Sequence, residues 1–154
     1  MRKRLRKKEA KDIAKDIGER FGIRISTGME LVKFDGREVI LVDGEPLLFK
    51  HEGGWYPTVL SIIKLRPEAY RVVVDEGALR YVINGADIMK PGIVWADEKI
   101  KKGDFVYIAV EKKGTPIAVG IALVDGKDMS GGKGKAVKNL HHLKDKIWAR
   151  FFGK

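Results

Sequence analysis

The sequence predicts an α+β fold: a small N-terminal α/β unit, residues 1–69, followed by a barrel-like unit, residues 70–154. Three observations predict it. One amphipathic helix stands near the start. Short strands joined by Asp-Gly turns follow it. The second half then repeats short apolar runs separated by glycine-containing turns, the pattern of a small mixed β-barrel. The chain has 154 residues and a hydrophobic fraction of 44%, enough to bury roughly two-thirds of its unfolded surface. It has no cysteine, so disulfides, thiolate metal sites and cysteine nucleophiles are excluded.

The helix is expected from about Lys8 to Phe21. Ala10, Ile13, Ala14, Ile17 and Phe21 recur at three- and four-residue spacing and form one apolar stripe. Gly22 suits the left-handed residue just past its end. Met29–Phe34 and Arg37–Val42 flank Asp35-Gly36, a hairpin signal. A second such pair, Asp43-Gly44, leads into a strand at Pro46–Lys50. Residues 52–57 (EGGWYP) read as a loop. Thr58 is placed to cap a short helix ending at Leu65, which Pro67 closes.

The chain crosses to the second unit near Arg66–Tyr70. Arg71–Asp75 reads as a buried strand. Asp75 then caps a helix over Glu76–Asn84 with Ala78, Leu79 and Val82 on its apolar face, and Gly85 ends it. Strands are expected at Ile93–Ala96, Phe105–Val110 and Pro116–Val124. A loop over Met129–Ala136 precedes two last strands, Val137–Leu143 and Lys146–Phe152. No internal repeat is evident.

Charge is distributed unevenly. Lys and Arg number 31 against 21 Asp and Glu, a net charge of +10. Residues 1–8 carry a net +6, residues 127–154 another +6, and the middle is −2. Clustered like charges repel unless a polyanion neutralises them, which makes nucleic acid the first partner to consider. A solvated surface without a ligand is the competing explanation. Glutamine is absent and asparagine occurs only at Asn84 and Asn139, a composition that leans toward thermophiles. No apolar run approaches the roughly 18 residues of a membrane span. The basic start leads into a charged helix and not an apolar segment, so no membrane partner and a cytoplasmic location are expected.

No arrangement of residues supports catalysis. The histidines are His51, His141 and His142. There is no H-E-x-x-H pair, and neighbours on a strand face opposite ways. A nucleophile elbow is missing. The run SGGKGKA resembles a phosphate loop but places Ala136 after Lys135, where the hydroxyl residue belongs. We therefore expect no enzyme, no cofactor and no metal. Three binding surfaces remain. In Asn84–Ile93, Gly85 and Ala86 leave room for a nucleic-acid backbone and Lys90 supplies a cation; alternatively Gly85 only ends a helix and Lys90 is an ordinary surface lysine. In Gly131–Lys138, Lys133, Lys135 and Lys138 ride either a binding loop or a solvated one. Residues 2–8 read as a disordered arm that adds nonspecific attraction.

The string DEGALRYVINGADIMKPGIV (Asp75–Val94) resembles the opening helix and loop of PUA domains. These are RNA-binding modules named after pseudouridine synthases and archaeosine transglycosylases. GKGKAVKNLHHLKDKIW (Gly132–Trp148) is similar to the final strands of that domain. DGEPLLFKHEGGWYPTV (Asp43–Val59) resembles the region before the PUA domain in the malignant T-cell amplified sequence family. The resemblance implies a C-terminal PUA pseudobarrel behind a small α/β domain. It also implies action in translation initiation, reinitiation or recycling, through the acceptor CCA end of tRNA and the small ribosomal subunit, with a density-regulated-like protein as a partner. Carried over by position, the RNA-facing residues are Arg80, Gly85, Ala86, Lys90 and Pro91, with Lys133 and Lys135 as basic neighbours. Tyr81 either stacks on a base or packs in the core. The other function considered is an accessory or targeting subunit of a tRNA-modifying enzyme, such as archaeosine transglycosylase or pseudouridine synthase.

Overall fold

In the computed structural model, which describes residues 1–153, the first helix (α1) runs from Lys7 to Phe21 and buries Ala10, Ile17 and Phe21. Ile13 and Ala14 on the same stripe are half-buried. Gly22 takes the left-handed conformation, and its N–H donates to the Gly18 carbonyl at 2.9 Å. The chain divides into two units, Met1–Glu68 and a second starting at Ala69.

The sheet of the first unit is antiparallel throughout, in the order β1-β2-β3-β4-β5. Its strands are β1 (Arg2–Arg4), β2 (Met29–Phe34), β3 (Arg37–Val42), β4 (Glu45–His51) and β5 (Gly54–Pro57). Each hairpin turn among β2 to β5 is two residues with positive φ: Asp35-Gly36, Asp43-Gly44 and Glu52-Gly53. Such turns match the right-handed twist of the strands they join. The helix over Val59–Leu65 (α2) begins as expected, with Thr58 Oγ1 accepting from the Ser61 N–H at 3.3 Å.

Two expectations for this unit are corrected. EGGWYP is not a loop: Glu52-Gly53 is the turn, and Gly54–Pro57 pairs with β4 from Leu48↔Pro57 to His51↔Gly54. Pro57 is tolerated because β5 is an edge strand. The basic start is not a disordered arm. Arg2–Arg4 pair with β2 from Arg2↔Val32 to Arg4↔Glu30. Leu5 is buried, and its N–H donates to the Met29 carbonyl at 3.0 Å. Arg2 grips both carboxylate oxygens of Glu30 at 2.9 Å.

The second unit is a nearly closed six-stranded sheet in the order β7-β11-β10-β9-β6-β8. Its strands are β6 (Tyr70–Val74), β7 (Ile88–Met89), β8 (Ile93–Ala96), β9 (Phe105–Val110), β10 (Pro116–Ala122) and β11 (Lys135–His142). Only β6 and β9 run parallel. Val72, Val74, Ile88, Ile108, Ile117 and Val137 lie in its core.

Here too the sequence reading needs correction. The helix expected over Glu76–Asn84 is a 3₁₀ turn, Glu76–Ala78, followed by a short α-helix, Leu79–Ile83 (α3). Gly77 is a poor helix former, while Asp75 caps the turn by accepting from the Ala78 N–H at 2.9 Å. Lys146–Phe152 is a helix (α4), not a strand. Asp145 caps it by accepting from the Trp148 N–H at 2.8 Å, and the Trp148 and Phe152 rings, one turn apart, sit 4.4 Å from each other. The two-residue strand β7 was not anticipated.

Candidate nucleic-acid interface

The segment from Asp75 to Gly92 is assembled by short backbone bonds. Gly85 has φ +95°, and its N–H donates to Val82 O at 3.0 Å. A Cβ there would meet only His142 Nε2, at 3.4 Å. The conformation, not lack of space, therefore calls for glycine. Ala86 N–H folds back to Tyr81 O at 3.0 Å. The chain then enters β7, which pairs with β11 through Lys135↔Met89 and Val137↔Ile88. Lys90 N–H donates to Gly134 O at 2.9 Å. The helix–loop segment and the lysine-rich strand, far apart in sequence, thus form one surface.

Two polar side chains hold this junction. Asp87 Oδ1 accepts from the Asn139 N–H at 3.0 Å, and its Oδ2 lies 3.1 Å from Lys135 Nζ. Burial would raise the Asp87 carboxyl. The Asn139 N–H and the Lys135 and Lys138 cations outweigh it and hold the group below its ordinary value. Asn139 Nδ2 donates to both Val82 O and Ala86 O, each at 3.0 Å. These two residues tie the end of α3, the Gly85 loop and β11 together.

Beside the junction lies a cleft of about 430 Å³, whose apolar lining includes Ala78, Tyr81, Val82, Ile88, Met89 and Pro91. Tyr81 is 56% exposed and Met89 44%, so Tyr81 is not a core residue. Arg80 Nη2 donates to the Tyr81 hydroxyl at 3.0 Å, and its guanidinium sits 5.0 Å from the Tyr81 ring centre. An exposed aromatic backed by arginine offers a flat platform for an unpaired base. Arg80, Gly85, Ala86, Pro91, Lys133 and Lys135 are exposed, and Lys90 is half-buried. Lys135 is already paired with Asp87, whereas Lys133 has no ion pair among the described residues.

Asp87, Asn139 and Met89 were not among the residues singled out from sequence. The one available signal was the rarity of asparagine, which occurs twice in the chain. No group of three or more His, Asp or Glu side chains suited to a metal occurs among the described residues. No helix among them is long and apolar enough to cross a membrane.

A nearly closed sheet with this capped turn, glycine loop and basic last strand defines a PUA-type RNA-binding module, and residues 70–143 match the PUA domain family model. Residues 1–65 match a second family, a domain of unknown function, DUF1947. The chain is 50% identical over 121 residues to an uncharacterised protein of Methanocaldococcus jannaschii, covering 78% of this chain and 75% of that one. It is 34% identical over 129 residues to translation machinery-associated protein 20 of Saccharomyces cerevisiae, covering 78% and 71%. Malignant T-cell-amplified sequence 1 of Rattus norvegicus is 33% identical over 116 residues, covering 72% and 64%. The crystal structure of a hypothetical protein from Pyrococcus horikoshii superposes with a TM-score of 0.83 at 40% identity, covering 98% of this chain and 99% of that one. The chain belongs to the PUA-domain family that includes the translation machinery-associated 20 and malignant T-cell-amplified sequence proteins.

Proposed function

We propose that this protein is a non-enzymatic, cytoplasmic RNA-binding component of the translation machinery that holds the unpaired CCA end of tRNA on the small ribosomal subunit. RNA recognition is assigned to the domain from residue 70 onward, and residues 1–69 form a separate N-terminal domain. The observation that carries the reading is the apolar cleft beside the Arg80–Tyr81 platform, bordered by the Gly85 loop and the lysine-rich strand. A single-stranded end presents flat bases and phosphates together. Tyr81 and Met89 suit the bases, Gly85, Ala86 and Pro91 let the backbone approach, and Arg80, Lys90, Lys133 and Lys135 suit the phosphates. The name of the Saccharomyces cerevisiae relative, translation machinery-associated protein 20, supports a place in translation. A density-regulated-like protein is the expected protein partner.

The test is binding to tRNA with and without its CCA end across a salt series. Affinity should fall when the end is removed. It should also fall with salt, each phosphate contact adding roughly −0.7 to −0.9 to the log–log slope. Lys90→Glu should weaken binding about tenfold and flatten the slope. A slope near zero, or equal affinity for both tRNAs, would overturn the reading. Co-sedimentation should recover small ribosomal subunits; recovery of an RNA-modifying enzyme instead would favour an accessory-subunit role.

A further inference from the structure

We infer that Trp95 and Arg71 form a second base-stacking subsite, which takes the next unpaired nucleotide of an RNA single strand lying in the Tyr81 cleft. The inference rests on the reading that the PUA domain binds RNA. Trp95 and Val94, adjacent on the edge strand β8, are 46% and 50% exposed. Arg71 lies over the indole, its guanidinium carbon 5.1 Å from the ring centre. This is the same pairing that Arg80 makes with Tyr81 at 5.0 Å. Guanidinium and indole planes are both surfaces on which a base stacks without regard to its identity.

The surroundings fit a nucleotide better than a purely apolar ligand. A cleft of about 430 Å³ borders Val94 and Trp95 and is lined further by Asp97, Lys99, Lys127 and Ser130. Arg71, Lys99 and Lys127 have no ion pair among the described residues. Asp97 is turned onto its own backbone, accepting from the Lys99 N–H at 2.9 Å. Lys99 and Lys127 line the cleft together with the carboxylates of Asp97 and Glu98, and Arg71 stands beside it on the indole, so a phosphate there meets three cations against two carboxylates. The place is also right. Gly92 lines the first cleft and Val94 the second, and two residues of chain span about 7 Å at most. The two clefts therefore come near each other where the chain passes from Gly92 to Val94.

The probe is a hairpin RNA with a short single-stranded 3′ tail, compared with the same hairpin ending flush. Trp95→Ala should lose about tenfold in affinity for the tailed RNA, the equivalent of one stacked base, and little for the flush one. Trp95→Phe should retain binding within about threefold. The salt slope should not change, because no cation is removed. In a Trp55→Phe, Trp148→Phe background, Trp95 is the remaining tryptophan, and the tailed RNA should quench its emission. Suppose the tailed RNA binds and Lys90→Glu weakens it, yet Trp95→Ala binds like wild type and Trp95 emission is unmoved. The subsite is then overturned while the RNA-binding reading stands, and the β8 edge is left to a protein partner. Absence of RNA binding at low salt overturns both.

Discussion

Asp87→Asn should tighten RNA binding, and the sign of that effect tests the geometry of the junction. Asp87 accepts from the Asn139 N–H at 3.0 Å and neutralises Lys135 at 3.1 Å. The asparagine side-chain oxygen preserves the first contact, while its loss of charge releases the second. Removing one negative charge about 7 Å from a phosphate in water is worth about 0.6 kcal/mol, roughly threefold in affinity. A freed Lys135 that reaches a phosphate of its own would steepen the salt slope by about 0.7 to 0.9. The cost to folding is small, since the Lys135 end of the pair is exposed and such a pair contributes about 0–1 kcal/mol. Asp87 titrates below its ordinary value, so its stabilisation is present above the ordinary carboxylate range and lost as pH falls through the depressed value. The variant should therefore also lose part of the wild type's acid sensitivity. Fluorescence anisotropy with labelled tRNA across a salt series, paired with thermal melts across pH, measures all of this. Unchanged or weaker binding with an unchanged slope would refute the placement of Lys135 beside bound phosphate.

Two further variants probe the scaffold. Gly120 sits at the bulge of β10, where an added Cβ would run into the Lys138 carbonyl oxygen and lie 2.8 Å from Val137 Cγ1. Gly120→Ala should cost about 3 kcal/mol and lower the melting temperature of this unit by about 15 °C; a wild-type melt would show that the two strands separate freely. Asp145 lies 2.7 Å from His141 Nδ1 and accepts from the N–H groups of His142 at 3.1 Å and Trp148 at 2.8 Å. Asp145→Ala should cost about 3 kcal/mol at neutral pH. Burial opposes ionisation of Asp145, but the His141 contact and the two N–H groups hold its carboxyl below the ordinary value. Wild-type and variant stabilities should therefore converge as pH falls through that value; a constant gap across acid pH would refute the assignment.

What was legible in the sequence was local. Asp35-Gly36 marks a turn because few residue pairs accept two positive φ values, and β2 and β3 lie where that turn predicts, from Met29↔Val42 to Phe34↔Arg37. Thr58 and Asp75 announced their caps in the same way. The misses share a different cause. β1 and β7 are strands of three and two residues that exist through their partners, β2 and β11. No periodicity develops over so short a run. In α4 the run IWARFF reads equally as strand or helix, and the Asp145 cap with the Trp148–Phe152 contact decides for helix. At the candidate site, Gly85, Lys90 and Lys135 belong to short glycine- and lysine-bearing strings that stand out by composition. Asn139 and Asp87 do not, because their meaning is a hydrogen bond spanning 52 residues.

The basic charge therefore explains less by its amount than by what stands next to it. Arg2 is spent on Glu30 and Lys135 on Asp87, so part of the +10 stabilises the fold's own junctions. The cations left over would attract any polyanion. A polyanion without bases, however, would meet only those cations, whereas on the proposed reading an unpaired RNA end would also meet Tyr81 and Trp95, each with an arginine against its ring. Stacking adds about 1–3 kcal/mol per base and does not depend on salt as phosphate contacts do. Discrimination for single-stranded RNA should accordingly grow as salt rises and the purely electrostatic contribution fades. That dependence ties the two arginine–aromatic pairs, and not the net charge, to the choice of ligand.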